Sequence, residues 1–212
     1  MVRLEDLHQA IVDGDAKRAV AVTEAALAEQ ADPAELVGKY MIPAMDEVGR
    51  RFECEEYFVP ELLLAARAMK GSLALLRPLL AERGAEPAGR VVIGTVKGDL
   101  HDIGKNLVAS LLEGGGFEVV DLGADVAPQK FVEAVQSSGA RLVCLSALLT
   151  VTMGSMRNTI EALKAAGMGE QVKVLVGGAP VTQQYADEIG ADGYGANASV
   201  AVALARQMSQ AV

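Results

Sequence analysis

From Arg90 onward the chain alternates between two apolar patterns, and this alternation restricts the fold more than any other feature of the sequence. Short, nearly continuous apolar runs stand at 90–93, 117–121, 142–146 and 172–176. Between them, apolar residues recur at helical spacing over 103–114, 128–138, 153–166 and 182–190. A weaker run at 192–194 precedes a last helical stretch, 199–209. Runs so short and so apolar are strands buried on both faces. Strands that alternate with helices pair in parallel, because each crossover helix must pack back onto the sheet.

Five strands in this rhythm predict the flavodoxin-like doubly wound order, an α/β domain over 90–212. Residues 1–83 have a different texture and read as helix throughout. Leu4, Leu7, Ile11, Ala19, Val22, Ala26 and Leu27 recur at three- and four-residue steps. Asp15, after Gly14, is placed to cap a second helix, and Asp32-Pro33 has the cap-then-proline order of a third. Pro43 lies inside that third pattern and predicts a kink or a break. Pro60 opens a fourth segment, with Leu62, Leu63, Ala66, Met69, Leu73 and Leu76 on one face and Pro78 bending its end. Four such amphipathic helices predict a small bundle. A polar break bearing Gly and Pro, from Ala81 to Gly89, separates the two textures and places a linker at 84–89.

Composition narrows the classes of function. The chain has 212 residues, 51% of them apolar, enough for two modest cores. A net charge of −9 argues against a nucleic-acid partner. No apolar run approaches the roughly 20 residues of a membrane span, and the first residues lack the order of a signal peptide. Two cysteines, Cys54 and Cys144, make no disulfide framework and suit a reducing, cytoplasmic setting. Cys144 reads as a small buried hydrophobe, and His8 as a solvated or core-edge histidine.

The chemistry concentrates after the first strand, in 94–106, where Asp99, His101 and Asp102 fall in the loop leading into the next helix. Open α/β sheets bind their ligands at that end of a parallel strand. Gly94, Gly98 and Gly104 do not make a dinucleotide fingerprint, and no Gly-Lys-Ser/Thr follows the strand to make a P-loop. Asp99 stands two residues before His101, a spacing that lets a carboxylate reach the ring nitrogen and fix its tautomer. No further His, Cys or carboxylate cluster accompanies the pair, so a zinc site of three or four protein ligands is disfavoured. Spacing alone leaves two readings open: a loop histidine bonded to its neighbour, or one imidazole serving a macrocycle that brings its own equatorial nitrogens.

Asp99-x-His101-x-x-Gly104, followed by Ser146-x-Leu148 and then Gly177-Gly178, resembles the three-part signature of cobalamin-binding domains. Gly98-Asp-Leu-His-Asp-Ile-Gly-Lys-Asn106 in particular is similar to the cobalamin module of methionine synthase and to the corrinoid proteins of methanol, methylamine and methoxyarene methyltransferase systems. The likeness runs from about Leu36 to the end. It implies that His101 is the lower axial ligand to cobalt, replacing the cofactor's own benzimidazole. Asp99 would bond that imidazole, with Thr152 completing the relay where methionine synthase has a serine. Ser146 and Leu148 would line the slot for the displaced nucleotide tail, and Gly177 and Gly178 would let the tail pass close to the backbone. Gly98, Leu100, Asp102 and Gly104 from the same loop, together with Thr150 and Ala198, would complete the cofactor contacts. Phe52 and Val59 stand where methionine synthase places a Phe and a Leu over the methyl face, with Phe58 as the alternative to Val59. Taken singly, each of these side chains is more often structural; their joint spacing carries the resemblance.

The resemblance implies methyl carriage. The chain would shuttle a methyl group between a substrate-specific methyltransferase and a second one acting on a thiol or tetrahydrofolate, served by a reductive activator of Co(II). The 81–89 stretch is where the bundle would swing. Two rival readings stand beside it. A cobalamin-dependent regulator usually carries a basic DNA-binding head, which the acidic balance disfavours. A cofactor-free receiver-like module would share the fold without the signature.

Overall fold

The computed structural model describes residues 3–82 and 88–210; most of the expected linker at 84–89 lies outside them. The chain divides into two compact units, Met1–Pro87 with Glu113–Gly116, and Ala88–Leu112 with Phe117–Val212.

The second unit is the doubly wound sheet expected from the alternation. Strands β1 (Arg90–Thr95), β2 (Glu118–Asp121), β3 (Leu142–Ser146), β4 (Lys173–Gly177) and β5 (Gly193–Gly195) are all parallel, in the order β2-β1-β3-β4-β5. Helices α6 (Ile103–Gly114), α7 (Pro128–Ser138), α8 (Gly154–Ala165), α9 (Gln183–Ile189) and α10 (Ala198–Gln210) alternate with them. The apolar run of β1 serves two cores at once, because successive strand side chains point to opposite faces. Val91 and Ile93 pack with Ala109, Leu112 and Phe117 on the α6 side. Val92 packs with Phe131, Val132, Ile160 and Ile189 on the other. Chain order reverses at β1, between β2 and β3, which opens the ligand crevice at the carboxyl ends of β1 and β3.

The first unit is helical. Helix α1 spans Glu5–Val12 and α2 Ala16–Ala28. Asp15 caps α2, its carboxylate accepting from the Arg18 N–H at 3.0 Å, and Asp32 does the same for Ala34 at 3.0 Å. Pro43, whose position predicts a kink or a break, does not break the helical segment. The segment runs on as α3 (Pro33–Glu35), a π-helical stretch (Leu36–Met41) and α4 (Ile42–Glu53). The Ile42 N–H bonds the Val37 carbonyl, five residues back. This wider winding just before the proline takes up the missing N–H and the ring's clash with the preceding turn. Helix α5 (Val59–Glu82) begins with Pro60 in its first turn and continues through Pro78. Its buried stripe is Leu62, Ala66, Met69, Leu73 and Leu76, whereas Leu63, expected on that face, is 42% exposed. One residue turns a helix by about 100°, enough to carry Leu63 off a stripe spaced three and four apart.

Candidate functional site

The loop between β1 and α6 is fixed by its backbone before any side chain acts. Gly98 sits at φ +87°, a conformation that side-chain-bearing residues rarely adopt. Its N–H donates to Asp125 Oδ1 at 2.8 Å. Thr95 Oγ1 donates to the His101 carbonyl at 3.0 Å, and the Asp102 carbonyl accepts from the Asn106 N–H at 2.7 Å to start α6. Lys105, in the first turn of α6, buries its ammonium against Asp121 Oδ2 at 2.5 Å and the Asn106 carboxamide. The pairing joins the start of α6 to the end of β2.

Asp99 is the hub of the site and is fully buried. Its Oδ1 accepts from His101 Nδ1 at 2.7 Å and from the His101 backbone N–H at 3.1 Å. Its Oδ2 accepts from the Leu148 and Leu149 N–H groups at 2.8 and 3.2 Å. Thr152 Oγ1 lies 2.7 Å from Oδ2 and 2.8 Å from the Leu149 carbonyl; its single proton goes to the carboxylate, the stronger acceptor. Burial alone pushes the Asp99 carboxyl up. The bonds from Thr152, Leu148 and His101 outweigh it and hold the group well below the usual carboxylate range. An ionised carboxylate only accepts, so the proton of the neutral imidazole sits on Nδ1. Nε2 is left with its lone pair on a side chain that is 50% exposed.

Strand register brings the other motifs to the same edge. Thr95 pairs with Ser146, Ser146 with Gly177, and Gly177 with Gly195, a row across the carboxyl ends of β1, β3, β4 and β5. Ala198 is buried at the start of α10, three residues past that row. Thr150 is exposed and Thr152 buried in the short 3-10 turn after β3. Gly178 has a reason of its own for lacking a side chain. A Cβ there would lie 1.9 Å from the Ala147 carbonyl oxygen, so the protein's own backbone excludes it. At Gly104 a Cβ would meet nothing within 4 Å.

The structure extends Leu100 and Leu148 into an apolar rim by adding Ile103, Leu149 and Val151, which the sequence reading did not single out. Leu100 (76% exposed), Ile103 (84%), Leu148, Leu149 and Val151 (85%) all face outward from the loops that carry Asp99, His101 and Thr152. Apolar side chains of this size left bare together mark a surface that is covered in use. The available signal was Ile103 standing inside an otherwise polar stretch, Asp102 to Asn106. Among the described residues, no cluster of three or more His, Cys, Asp or Glu is disposed to hold a metal ion. Phe52, half-buried in α4, and Val59, 41% exposed at the start of α5, belong to the helical unit. Cys144 is buried, which pushes its thiol up to about 12, as expected of a core residue. Among the described residues no helix is long and apolar enough to cross a membrane.

Both units match known families. Residues 89–203 match the B12 binding domain, and residues 3–77 match a second B12 binding domain family. The trimethylamine corrinoid protein 2 of Methanosarcina mazei is 47% identical over 195 residues, 91% of this chain and 89% of that protein. A crystal structure of a cobalamin-binding protein from Desulfitobacterium hafniense superposes with a TM-score of 0.82 at 36% identity, covering 98% of each chain. A chain of the methanol:cobalamin methyltransferase complex of Methanosarcina barkeri superposes with a TM-score of 0.83 at 29% identity, covering 99% of this chain and 80% of that one.

Proposed function

The chain belongs to the B12-binding family of corrinoid proteins, and from that premise we propose that it carries a methyl group on a corrinoid whose axial ligand is His101. The observation that carries the ligand assignment is the Asp99–His101 pair. A buried carboxylate holds the ring proton on Nδ1 and leaves Nε2, on a half-exposed ring, free to coordinate.

The residues fit the group. One imidazole without supporting protein ligands suits a macrocycle that supplies its own equatorial nitrogens. The bare apolar rim of Leu100, Ile103, Leu148, Leu149 and Val151 suits a broad, largely apolar ring face. When bound, the corrinoid supplies a cobalt centre that takes up and gives away a methyl group. Asp99 raises the basicity of the imidazole and fixes its orientation. Thr152 and the Leu148 and Leu149 amides keep Asp99 ionised. Gly98, Asp102, Gly104 and Thr150 are the proposed contacts to the macrocycle's polar edge. Ser146, Leu148, Gly177, Gly178 and Ala198, gathered along one edge of the sheet, are proposed to receive the nucleotide tail. Phe52 and Val59 are proposed as cofactor-covering residues on the family resemblance.

A substrate-specific methyltransferase is the partner indicated by relatives named for methylamine corrinoid proteins and by the methanol methyltransferase complex. A second methyltransferase acting on a thiol or tetrahydrofolate, a reductive activator of Co(II) and a cytoplasmic setting complete the proposal. The cofactor-free receiver reading is not favoured, since B12 families match both units, and the regulator reading is not favoured, since the relatives are corrinoid proteins of methylamine and methanol systems.

The test is spectroscopic. Protein loaded with cobalamin should change its visible spectrum on His101→Gly, because the lower axial nitrogen is removed. An unchanged spectrum would refute the ligand assignment.

A further inference from the structure

Asp125 lies in the loop after β2, remote in sequence from the Asp99–His101 loop, yet it holds that loop from two sides. Its Oδ1 accepts from the Gly98 N–H at 2.8 Å, and its own N–H donates to the Asp99 carbonyl at 2.9 Å. Lys97 adds an ion pair at 3.0 Å to the same carboxylate. The two loops are otherwise joined by the Val96–Val126 bridge and by bonds between Thr95 and the Gly123 and Val126 backbones. These bonds end at Val96. Beyond it, Asp125 bonds the two residues, Gly98 and Asp99, that lead to His101.

The backbone at Asp125 makes the identity of this residue informative. Its φ is +56°, a left-handed conformation that glycine adopts without cost and that Asp and Asn tolerate better than most. Conformation alone therefore does not call for a side-chain oxygen. The partner does: the Gly98 N–H is itself held at positive φ, and a short side chain bearing an oxygen opposite it supplies an acceptor. The Gly98 amide and then the Lys97 ammonium hold the Asp125 carboxyl below its ordinary value, so it is a full acceptor at neutral pH.

We propose that Asp125 is a positioning residue for axial coordination: by clasping Gly98 and Asp99 it fixes the loop in the conformation that presents His101 Nε2 to cobalt. The proposal rests on the ligand role assigned to His101 above. Asp125 bonds the Gly98–Asp99 backbone rather than the imidazole, so its effect is on the equilibrium between coordinated and free imidazole. A loop that must be ordered on coordination lowers that equilibrium, and one already ordered raises it.

Asp125→Gly removes the carboxylate without straining the backbone, and Asp125→Asn retains an amide oxygen that accepts from Gly98. In the cofactor-free proteins, amide hydrogen exchange is measured by NMR. D125G should speed exchange at Gly98 by about tenfold, the scale of one lost bond to a charged acceptor, with the β3 amides unchanged. D125N should stay near the wild-type rate. The proteins are then labelled with 15N-histidine and loaded with cob(II)alamin, and the axial nitrogen splitting is read by EPR. The 15N label separates coordination by His101 from coordination by the cofactor's own base. D125G should lower the ratio of coordinated to free imidazole by about fivefold, with D125N close to wild type. Wild-type exchange at Gly98 together with an unchanged splitting in D125G would overturn the proposal, as would a D125N protein as impaired as D125G. His101→Gly in the same series keeps the two assignments apart. A splitting that survives H101G refutes the ligand, whereas one abolished by H101G but untouched by D125G refutes only the clasp.

Discussion

Thr152 Oγ1 and Asp99 Oδ2 lie 2.7 Å apart, which ties the loop after β3 to the loop after β1 at the one buried carboxylate of the site. Thr152→Val keeps the shape and removes the donor. A net loss of about 1.5–3 kcal/mol is expected for a buried bond to a charged acceptor. For a chain of this size that lowers the apo melting temperature by roughly 3–12 °C. Thr152→Ser should retain most of the stability. With cobalamin bound, the valine variant should show less histidine-coordinated cobalt than the serine variant; equal coordination in the two would break the relay.

Asp99 has a consequence for acid stability. Its carboxyl is held below the ordinary value in the fold by Thr152, Leu148 and His101, despite burial. A depressed folded pKa contributes stability that is fully present above the unfolded value of about 3.9 and is lost as pH falls toward the lower folded one. Chemical unfolding of the apo protein between about pH 2.5 and 6 should therefore show a steep loss below about pH 4. D99N, with no carboxyl to protonate, should be less stable at neutral pH and flatter through the acid range. Parallel curves would mean that Asp99 is not held ionised.

Much of this arrangement was legible in the chain, for local reasons. Val91-Val92-Ile93 announced a strand buried on both faces, and in the structure Val92 does turn to one core while its neighbours turn to the other. Asp15 and Asp32 announced helix starts, because a cap needs only its own next few residues. What escaped depended on a whole helical segment or on residues remote in sequence. The π-helical turn before Pro43 follows from how a whole helical segment accommodates one ring, and periodicity does not register it. Asp125 is an ordinary loop aspartate until the fold brings Gly98 to it. Ile103 and Val151 read as scattered apolar residues until two separate loops set them on one rim. At Gly178 the sequence pointed to a position without a side chain, but the nearest reason is the Ala147 carbonyl.

The two cysteines should separate cleanly by labelling. Cys54 is exposed, whereas Cys144 is buried with its thiol pushed up to about 12. Thiolate is the reactive form, so at pH 8 a thiol reagent should modify Cys54 alone in the folded protein and both residues in denaturant. Cys54→Ser should leave the native protein unreactive on the same timescale. Rapid modification of Cys144 without denaturant would show that the sheet opens far more readily than its packing implies.

Two glycines of the signature should respond to alanine in opposite ways, because one is hemmed in by the protein's own backbone and the other faces open space. Gly178 has φ +131°, and a Cβ there would fall 1.9 Å from the Ala147 carbonyl oxygen. Gly178→Ala must move the backbone at the ends of β3 and β4, and a loss of roughly 3 kcal/mol or more is expected in the apo protein. Gly104 stands in the first turn of α6 with open space where its Cβ would be. Gly104→Ala should leave the apo protein as stable, or more stable by up to about 1 kcal/mol, since alanine is the better helix former. Its methyl group would project beside the His101 loop, into the space proposed for the macrocycle. A methyl group forced into a fitted contact costs about 1–3 kcal/mol, so cobalamin affinity should fall by about fivefold or more. Thermal unfolding of the two apo proteins and a cobalamin titration of G104A separate these effects. A G104A protein that binds cobalamin as tightly as wild type would mean that the macrocycle does not lie over α6's first turn, however well the imidazole is placed.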